Sequence, residues 1–178
     1  AAKAPVLMTA ALAPAPAAPT TPMEEDTVAT INGQGYKSFD EAVNAAQSGD
    51  TIEVIKDATS TGIDLRDKKL TIKGKTVTTT DSGTEEKATV KPKLKFVAKE
   101  GQSQIAGITL WGSDLTFQNM DVDMTGASST TYNKWNAVCM SDNASLTLNR
   151  TDLSMDGTGL DASAQGIYMA GRGRDELN

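Results

Sequence analysis

Gly107-Ile-Thr-Leu110, Ala137-Val-Cys-Met140 and Gly166-Ile-Tyr-Met169 decide how this chain is read. Their starts lie 30 and 29 residues apart, and the residues after them recur too. Leu115-Thr-Phe117 corresponds to Leu146-Thr-Leu148. Asp121-Val-Asp-Met124 with Thr125-Gly126 corresponds to Asp152-Leu-Ser-Met155 with Asp156-Gly157. A more degenerate copy is Gly62-Ile-Asp-Leu65 followed by Leu70-Thr-Ile72, and Leu94-Lys-Phe96 fits a strand of a copy with a longer insertion. Each run alternates apolar and polar residues between Gly, Asn and Asp, which is the pattern of short strands. A fixed recurrence of this length marks a repeat architecture.

Three short strands in a repeat of this length cannot close a core alone. Stacked copies can: each strand pairs with its equivalent about 4.8 Å away, and like side chains meet inside. The expected columns are Ile63, Ile108, Val138 and Ile167; Leu65, Leu110, Met140 and Met169; Leu70, Leu115 and Leu146; Ile72, Phe117 and Leu148; Val122 with Leu153; and Met124 with Met155. An antiparallel sandwich of the same strands has no reason to keep side-chain identity at a fixed offset. The expectation is an all-β solenoid. By the same alternation Cys139 faces outward, as does the column Thr71, Thr116 and Thr147, whose residue type simply suits strands.

Upstream, Val28–Ile31 reads as a strand and Asn32-Gly33 as the tight turn after it. A helix over about 38–48 follows. Ser38 and Glu41 have capping-box spacing, Phe39, Ala42, Val43 and Ala46 form one apolar face, and Gly49 is the expected stop. Thr51–Ile55 is a strand. The amphipathic helix has the length to cap the apolar end of the stack.

The run Tyr36-Lys-Ser-Phe-Asp-Glu-Ala-Val-Asn-Ala-Ala46, then Gly49-Asp-Thr-Ile-Glu-Val54, resembles the amino-terminal cap and first coil of right-handed parallel β-helix proteins of the pectin-lyase-like superfamily. The Leu-Thr-Ile, Leu-Thr-Phe and Leu-Thr-Leu runs are similar to its coils. The resemblance spans 27–178 and implies a right-handed parallel β-helix with an amino-terminal capping helix. It is poor in function, because the superfamily holds polysaccharide lyases and hydrolases, phage tailspikes and non-catalytic surface adhesins. In its lyases, outer-sheet carboxylates hold calcium against an acidic polysaccharide. The residues here that could correspond are Asp121, Asp123 and Asp152, with Arg150 nearby as a basic group; the plainer reading of the same carboxylates is a solvated acidic strand face. The Asn-Thr-Asp, Asp-Asp and His-Gly set of polygalacturonases is absent.

Residues 1–26 stand apart. Pro5, Pro14, Pro16, Pro19 and Pro22 fall among many alanines, so this stretch reads as a linker or as a signal remnant, with Lys3, an apolar run and Ala15-Pro16-Ala17. Both readings point to a secreted or cell-surface protein. The last copy stops within its repeat near Asn178, so an incomplete carboxyl-terminal end is expected, met by further coils of a longer chain or by self-association.

Composition narrows the chemistry. The 178 residues carry a net charge of −6 and contain no histidine and one cysteine. Histidine catalysis, a disulfide framework and multi-thiolate zinc sites are excluded within this sequence. The acidic balance argues against nucleic acid as a partner. No stretch approaches the roughly 18 apolar residues of a membrane span. Between Arg66 and Lys99 there are ten basic residues and four acidic ones. Lys91, Lys93 and Lys95 share alternation and would project from one strand face toward anionic glycans; the plainer role of such lysines is to protect a sheet from edge pairing. Tyr132 and Trp135, in a polar insertion, are candidates for stacking on sugars, and Trp111 closes a strand. The functional expectation is a non-catalytic adhesin or structural scaffold, glycan-facing, with no cofactor except calcium. The alternatives are the amino-terminal part of a polysaccharide lyase or glycoside hydrolase, and a protein that self-assembles through its open end.

Overall fold

The computed structural model describes residues 23–79, 88–97, 106–125, 136–156 and 165–178. These are mostly β-strand, with parallel sheets and one short helix. Strands β1 (Ala29–Ile31) and β2 (Gln34–Tyr36) form a hairpin. Asn32 and Gly33 supply its positive φ values of 49° and 83°, as the sequence requires of a two-residue turn.

Helix α1 (Phe39–Ala45) follows. Ser38 is its N-cap, and its Oγ accepts the Glu41 N–H at 3.3 Å. Asp40 and Glu41 put negative charge on the positive end of the helix dipole. Phe39, Ala42 and Val43 are buried beneath it. The helix is shorter than the 38–48 expected. Ala46 is already extended, at φ −64° and ψ 137°. Residues Gln47–Asp50 then close a turn, with the Asp50 N–H donating to the Gln47 carbonyl at 3.0 Å and the Gln47 N–H to Asp50 Oδ2 at 2.8 Å. Gly49, at φ 97°, serves that turn instead of the helix end.

Two side-chain contacts fix the helix. Asp40 Oδ1 accepts from Ser60 Oγ at 2.7 Å, and its Oδ2 accepts from the Thr61 N–H and Oγ1 at 2.9 and 2.8 Å. Beyond the other end, Lys68 Nζ donates to the Ala46 carbonyl at 2.9 Å. The chain has no basic residue in the last helical turn, so the cation that suits this end arrives from elsewhere.

The remaining strands are β3 (Thr51–Val54), β4 (Ala58–Ser60), β5 (Ile63–Arg66), β6 (Lys69–Gly74), β7 (Val77–Thr79), β8 (Ala88–Val90), β9 (Lys93–Phe96), β10 (Ala106–Trp111), β11 (Asp114–Gln118), β12 (Asp121–Asp123), β13 (Asn136–Ser141), β14 (Ser145–Asn149), β15 (Asp152–Ser154), β16 (Gln165–Met169) and β17 (Glu176–Leu177). They fall into three main sheets. Sheet A has the order β17-β14-β11-β6-β3-β1-β2, sheet B β15-β12-β9-β4, and sheet C β16-β13-β10-β5. From β4 onward the chain visits B, C and A in rotation. The antiparallel hairpin β7–β8 interrupts that rotation once, between β6 and β9. Every neighbour in the rotating set runs parallel.

The registers reproduce the expected columns. Ile63 pairs with Ile108, Ile108 with Val138 and Val138 with Ile167; Leu65, Leu110, Met140 and Met169 follow likewise. Leu70, Leu115 and Leu146 align, and so do Ile72, Phe117 and Leu148. Val122 pairs with Leu153. The columns are longer than the sequence suggested: Ile52 joins beneath Ile72, Leu94 and Ala58 beneath Val122, and Leu177 above Leu146. Met124 is fully buried and Met155 packs half-buried against the same core. Each fully buried Leu, Ile or Phe contributes roughly 1.5–3 kcal/mol, so the columns dominate folding.

The corners also repeat. The corner residue after each sheet C strand, directly after it for Asp67, Gly112 and Asp142 and one residue later for Gly171, has φ between 51° and 72°. Only Gly and Asx tolerate this routinely. The N–H groups of Asp67, Gly112 and Asp142 donate to the carbonyls of Trp111, Ser141 and Arg172, one level further along, at 2.8–3.0 Å.

After sheet A the matching place is tighter. A Cβ on Gly74 would stand 2.1 Å from the Asn119 carbonyl oxygen and 2.7 Å from Pro92 Cδ. The Asn119 amide also donates to the Gly74 carbonyl at 3.2 Å. Gly74→Ala must therefore move backbone. It is expected to destabilise the protein by about 1–3 kcal/mol, as overpacking does, read as a lower midpoint in urea unfolding.

Candidate functional site

The outer face of sheet B carries the residues that the sequence singled out. In β9, Leu94 and Phe96 are buried while Lys93 and Lys95 are exposed. In β12, Val122 is buried and Asp121 and Asp123 lie half-buried on the opposite face. The registers bring Lys93, Asp121 and Asp152 into one column, and Thr59, Lys95, Asp123 and Ser154 into the next. The structure thus brings Asp121, Asp123 and Asp152 together with Lys93 and Lys95 on one surface, and Lys91 reaches it from the start of the same segment.

These charges engage one another. Lys91 Nζ lies 3.2 Å from Asp152 Oδ2, and Lys93 Nζ 3.9 Å from Asp121 Oδ2. The Lys93 N–H donates to Asp57 Oδ1 at 2.8 Å. Such pairs on an open face are each worth about 0–1 kcal/mol, so they shape the surface potential more than stability. A calcium ion on the three carboxylates would have to displace two ammonium groups. Among the described residues no group of three or more His, Cys, Asp or Glu gathers to hold a metal ion.

Asp123 ends its strand in a tight turn. Its Oδ1 accepts from the Thr125 hydroxyl at 2.6 Å and from the Thr125 N–H at 3.0 Å. The hydroxyl bond, then the backbone bond, hold its carboxyl below the usual carboxylate range; partial burial opposes them, and Lys93 and Lys95 assist.

The aromatic candidates Tyr132 and Trp135 lie outside the described residues. Trp111 ends β10 with 37% of its surface exposed. The Arg66 guanidinium stacks 4.5 Å from its ring centroid, and Arg66 Nε pairs with Asp64 Oδ1 at 3.4 Å. Tyr168 joins them on the outer face of sheet C, in the column of Thr109 and Cys139. Sequence reasoning passed over Tyr168 and counted Arg66 only within the basic segment, although alternation with Ile167 and with Leu65 was enough to turn both outward.

Cys139 departs from expectation. Its position in the alternation is outward, yet only 6% of it is exposed. It stands between Thr109 and Tyr168 in register, so a site that the pleat turns outward is nonetheless enclosed by neighbours. Burial, and then the charge of Asp175, push its thiol above the ordinary cysteine value. The threonine column also gains a member. Thr51 aligns with Thr71, Thr116 and Thr147, flanked by the column of Lys69, Asp114, Ser145 and Glu176.

No helix among the described residues is long and apolar enough to cross a membrane. No family model, curated protein or solved structure matches this chain.

Two measurements probe these environments. Cys139 should react with a chromogenic disulfide reagent far more slowly in the native protein than in denaturant, because the thiolate is both disfavoured and shielded. In Thr125→Val the Asp123 carboxyl should titrate at higher pH, read by NMR. Because the folded-state value is the depressed one, any stability it lends is present above the ordinary carboxylate range and lost as pH falls through the folded value.

Proposed function

We propose that this chain is a right-handed parallel β-helix that serves as a secreted or cell-surface module, a non-catalytic scaffold presenting its charged outer faces to glycans. The observation that carries this reading is the unbroken register. Four parallel strands in sheet B, four in sheet C and five in sheet A keep like side chains in line. A chain that rotates B, C, A through parallel strands climbs one strand spacing, about 4.8 Å, per turn. The near-universal right hand of parallel crossovers gives its sense. A stack of this kind is stiff along its length because each level is hydrogen-bonded to the next, and stiffness suits an adhesive stalk.

The glycan part of the reading rests on sheet B. Lys91, Lys93 and Lys95 lie on a segment whose surroundings are rich in basic residues, while the chain as a whole is acidic. An anionic polysaccharide would displace Asp121 and Asp152 from the ammonium groups and run across successive levels. Tyr132 and Trp135 are proposed to add stacking contacts.

The test is retention on immobilised anionic polysaccharides at low ionic strength. Retention should weaken as salt rises and fall by about tenfold or more in Lys91→Glu/Lys93→Glu/Lys95→Glu. Wild-type protein that passes every anionic polymer unretained overturns the glycan contact. A rise in ultraviolet absorbance on polygalacturonate, or thermal stabilisation by calcium, would replace the scaffold with a polysaccharide lyase.

A further inference from the structure

The two outward columns of sheet B use their charges differently. In the first, Lys93, Asp121 and Asp152 stand in register and their charges are closed: Lys93 Nζ lies 3.9 Å from Asp121 Oδ2, and Lys91 Nζ lies 3.2 Å from Asp152 Oδ2. In the second, Thr59, Lys95 and Asp123 stand in register. Lys95 is the direct counterpart of Lys93, and Asp123 of Asp121, yet this pair stays open. Among the described residues Lys95 has no ion-pair partner.

The reason lies in the turn that ends β12. Asp123 Oδ1 accepts from the Thr125 hydroxyl at 2.6 Å and from the Thr125 N–H at 3.0 Å. That grip holds the carboxylate over its own turn and out of ion-pair reach of Lys95, whose strand lies about 4.8 Å away. The same two bonds hold the carboxyl below the usual range, so it stays ionised. Lys95 guards no sheet edge, because β9 lies between β12 and β4. The result is an anion fixed in place beside an exposed, unpartnered cation, with the exposed Thr59 on the far side of Lys95.

We propose that the column of Thr59, Lys95 and Asp123 recognises a zwitterionic polysaccharide, one that carries free ammonium groups beside carboxylates. The inference rests on the glycan reading above and narrows its ligand class. Lys95 takes a ligand carboxylate, and the Thr59 hydroxyl donates to the same group. Asp123 takes the neighbouring ammonium through Oδ2, the oxygen that Thr125 leaves free. The two protein charges are one strand spacing apart, a distance that one sugar ring spans. A purely anionic polymer meets repulsion from Asp121, Asp123 and Asp152, and a purely cationic one from Lys91, Lys93 and Lys95. A polymer of both signs meets neither, and it leaves the Lys93–Asp121 and Lys91–Asp152 pairs intact. Because Thr125 has already oriented the carboxylate, little ordering is left to be done on binding. Exposed pairs are individually weak, so the expected signature is discrimination between polymers, which like-charge contacts enforce.

The test compares retention of the whole chain on three immobilised polymers at about pH 6, where carboxylates are ionised and amines charged. They are hyaluronan, which carries carboxylates alone, chitosan, which carries ammonium groups alone, and hyaluronan stripped of its acetyl groups, which alternates the two. Binding to the stripped polymer should be about tenfold or more tighter than to either other. Asp123→Asn, which keeps an oxygen for Thr125, should abolish that preference without lowering binding to hyaluronan. Lys95→Gln should weaken binding to both carboxylate polymers. Equal binding to hyaluronan and its stripped form, tighter binding to chitosan, or an Asp123→Asn variant that keeps the preference each overturn the proposal. If hyaluronan is still held through Lys91, Lys93 and Lys95 in those cases, the glycan reading stands without it. A protein that passes all three polymers, and every other anionic one, overturns both. Native shielding of Cys139 in each variant confirms that the stack is intact.

Discussion

Every level of this molecule is held by the demand that a side chain lie on its equivalent one strand spacing away. Leu70, Leu115 and Leu146, or Ile52, Ile72, Phe117 and Leu148, are in line because the ladders between them are parallel and unshifted. A slip of one residue in any strand would turn its apolar set outward. The period is therefore fixed along the strands and free only at the corners. The hairpin β7–β8 shows the permitted departure: it lengthens the step from Leu65 to Leu110 without disturbing either register.

That demand creates a problem at the ends of the stack, and at the amino-terminal one the chain answers it with a cap. A stack of parallel strands has an apolar cross-section top and bottom. The amino-terminal section is covered by a helix of only two turns, too short to hold itself in water. Its stability comes from what it touches: Phe39 and Val43 below, the Asp40 carboxylate gripping Ser60 and Thr61, and Lys68 at the Ala46 carbonyl. Cap and stack are one cooperative unit, because the residues that anchor the helix belong to the first complete turn of the ladder.

The outer faces are under no such constraint, and composition varies there. Sheet B sets lysines beside carboxylates, sheet A runs threonine between charged columns, and sheet C stacks Arg66 on Trp111. Charged residues at outward positions also guard against sheets joining by their faces or edges. A surface that can vary without cost to the core is where recognition would be placed, and this is why the proposed glycan contact lies on an outer face.

Much of this was legible in the sequence, for a physical reason. Parallel stacking makes the tertiary neighbour of Ile108 the residue 30 positions later, so the contact map is written as a recurrence: Ile108 with Val138, Leu115 with Leu146, Val122 with Leu153. The sharing of one face by Asp121, Asp152 and Lys93 followed from the same rule. What the recurrence could not carry was decided by three-dimensional surroundings. The helix stops at Ala45 because the Gln47–Asp50 turn takes over, whereas periodicity alone ran on to Gly49. Cys139 alternates outward yet is enclosed by its neighbours, and Met169 alternates inward yet is exposed, on the outermost described strand of sheet C. Alternation specifies the face to which a side chain points; burial depends on what lies over that face, and only the assembled levels determine that.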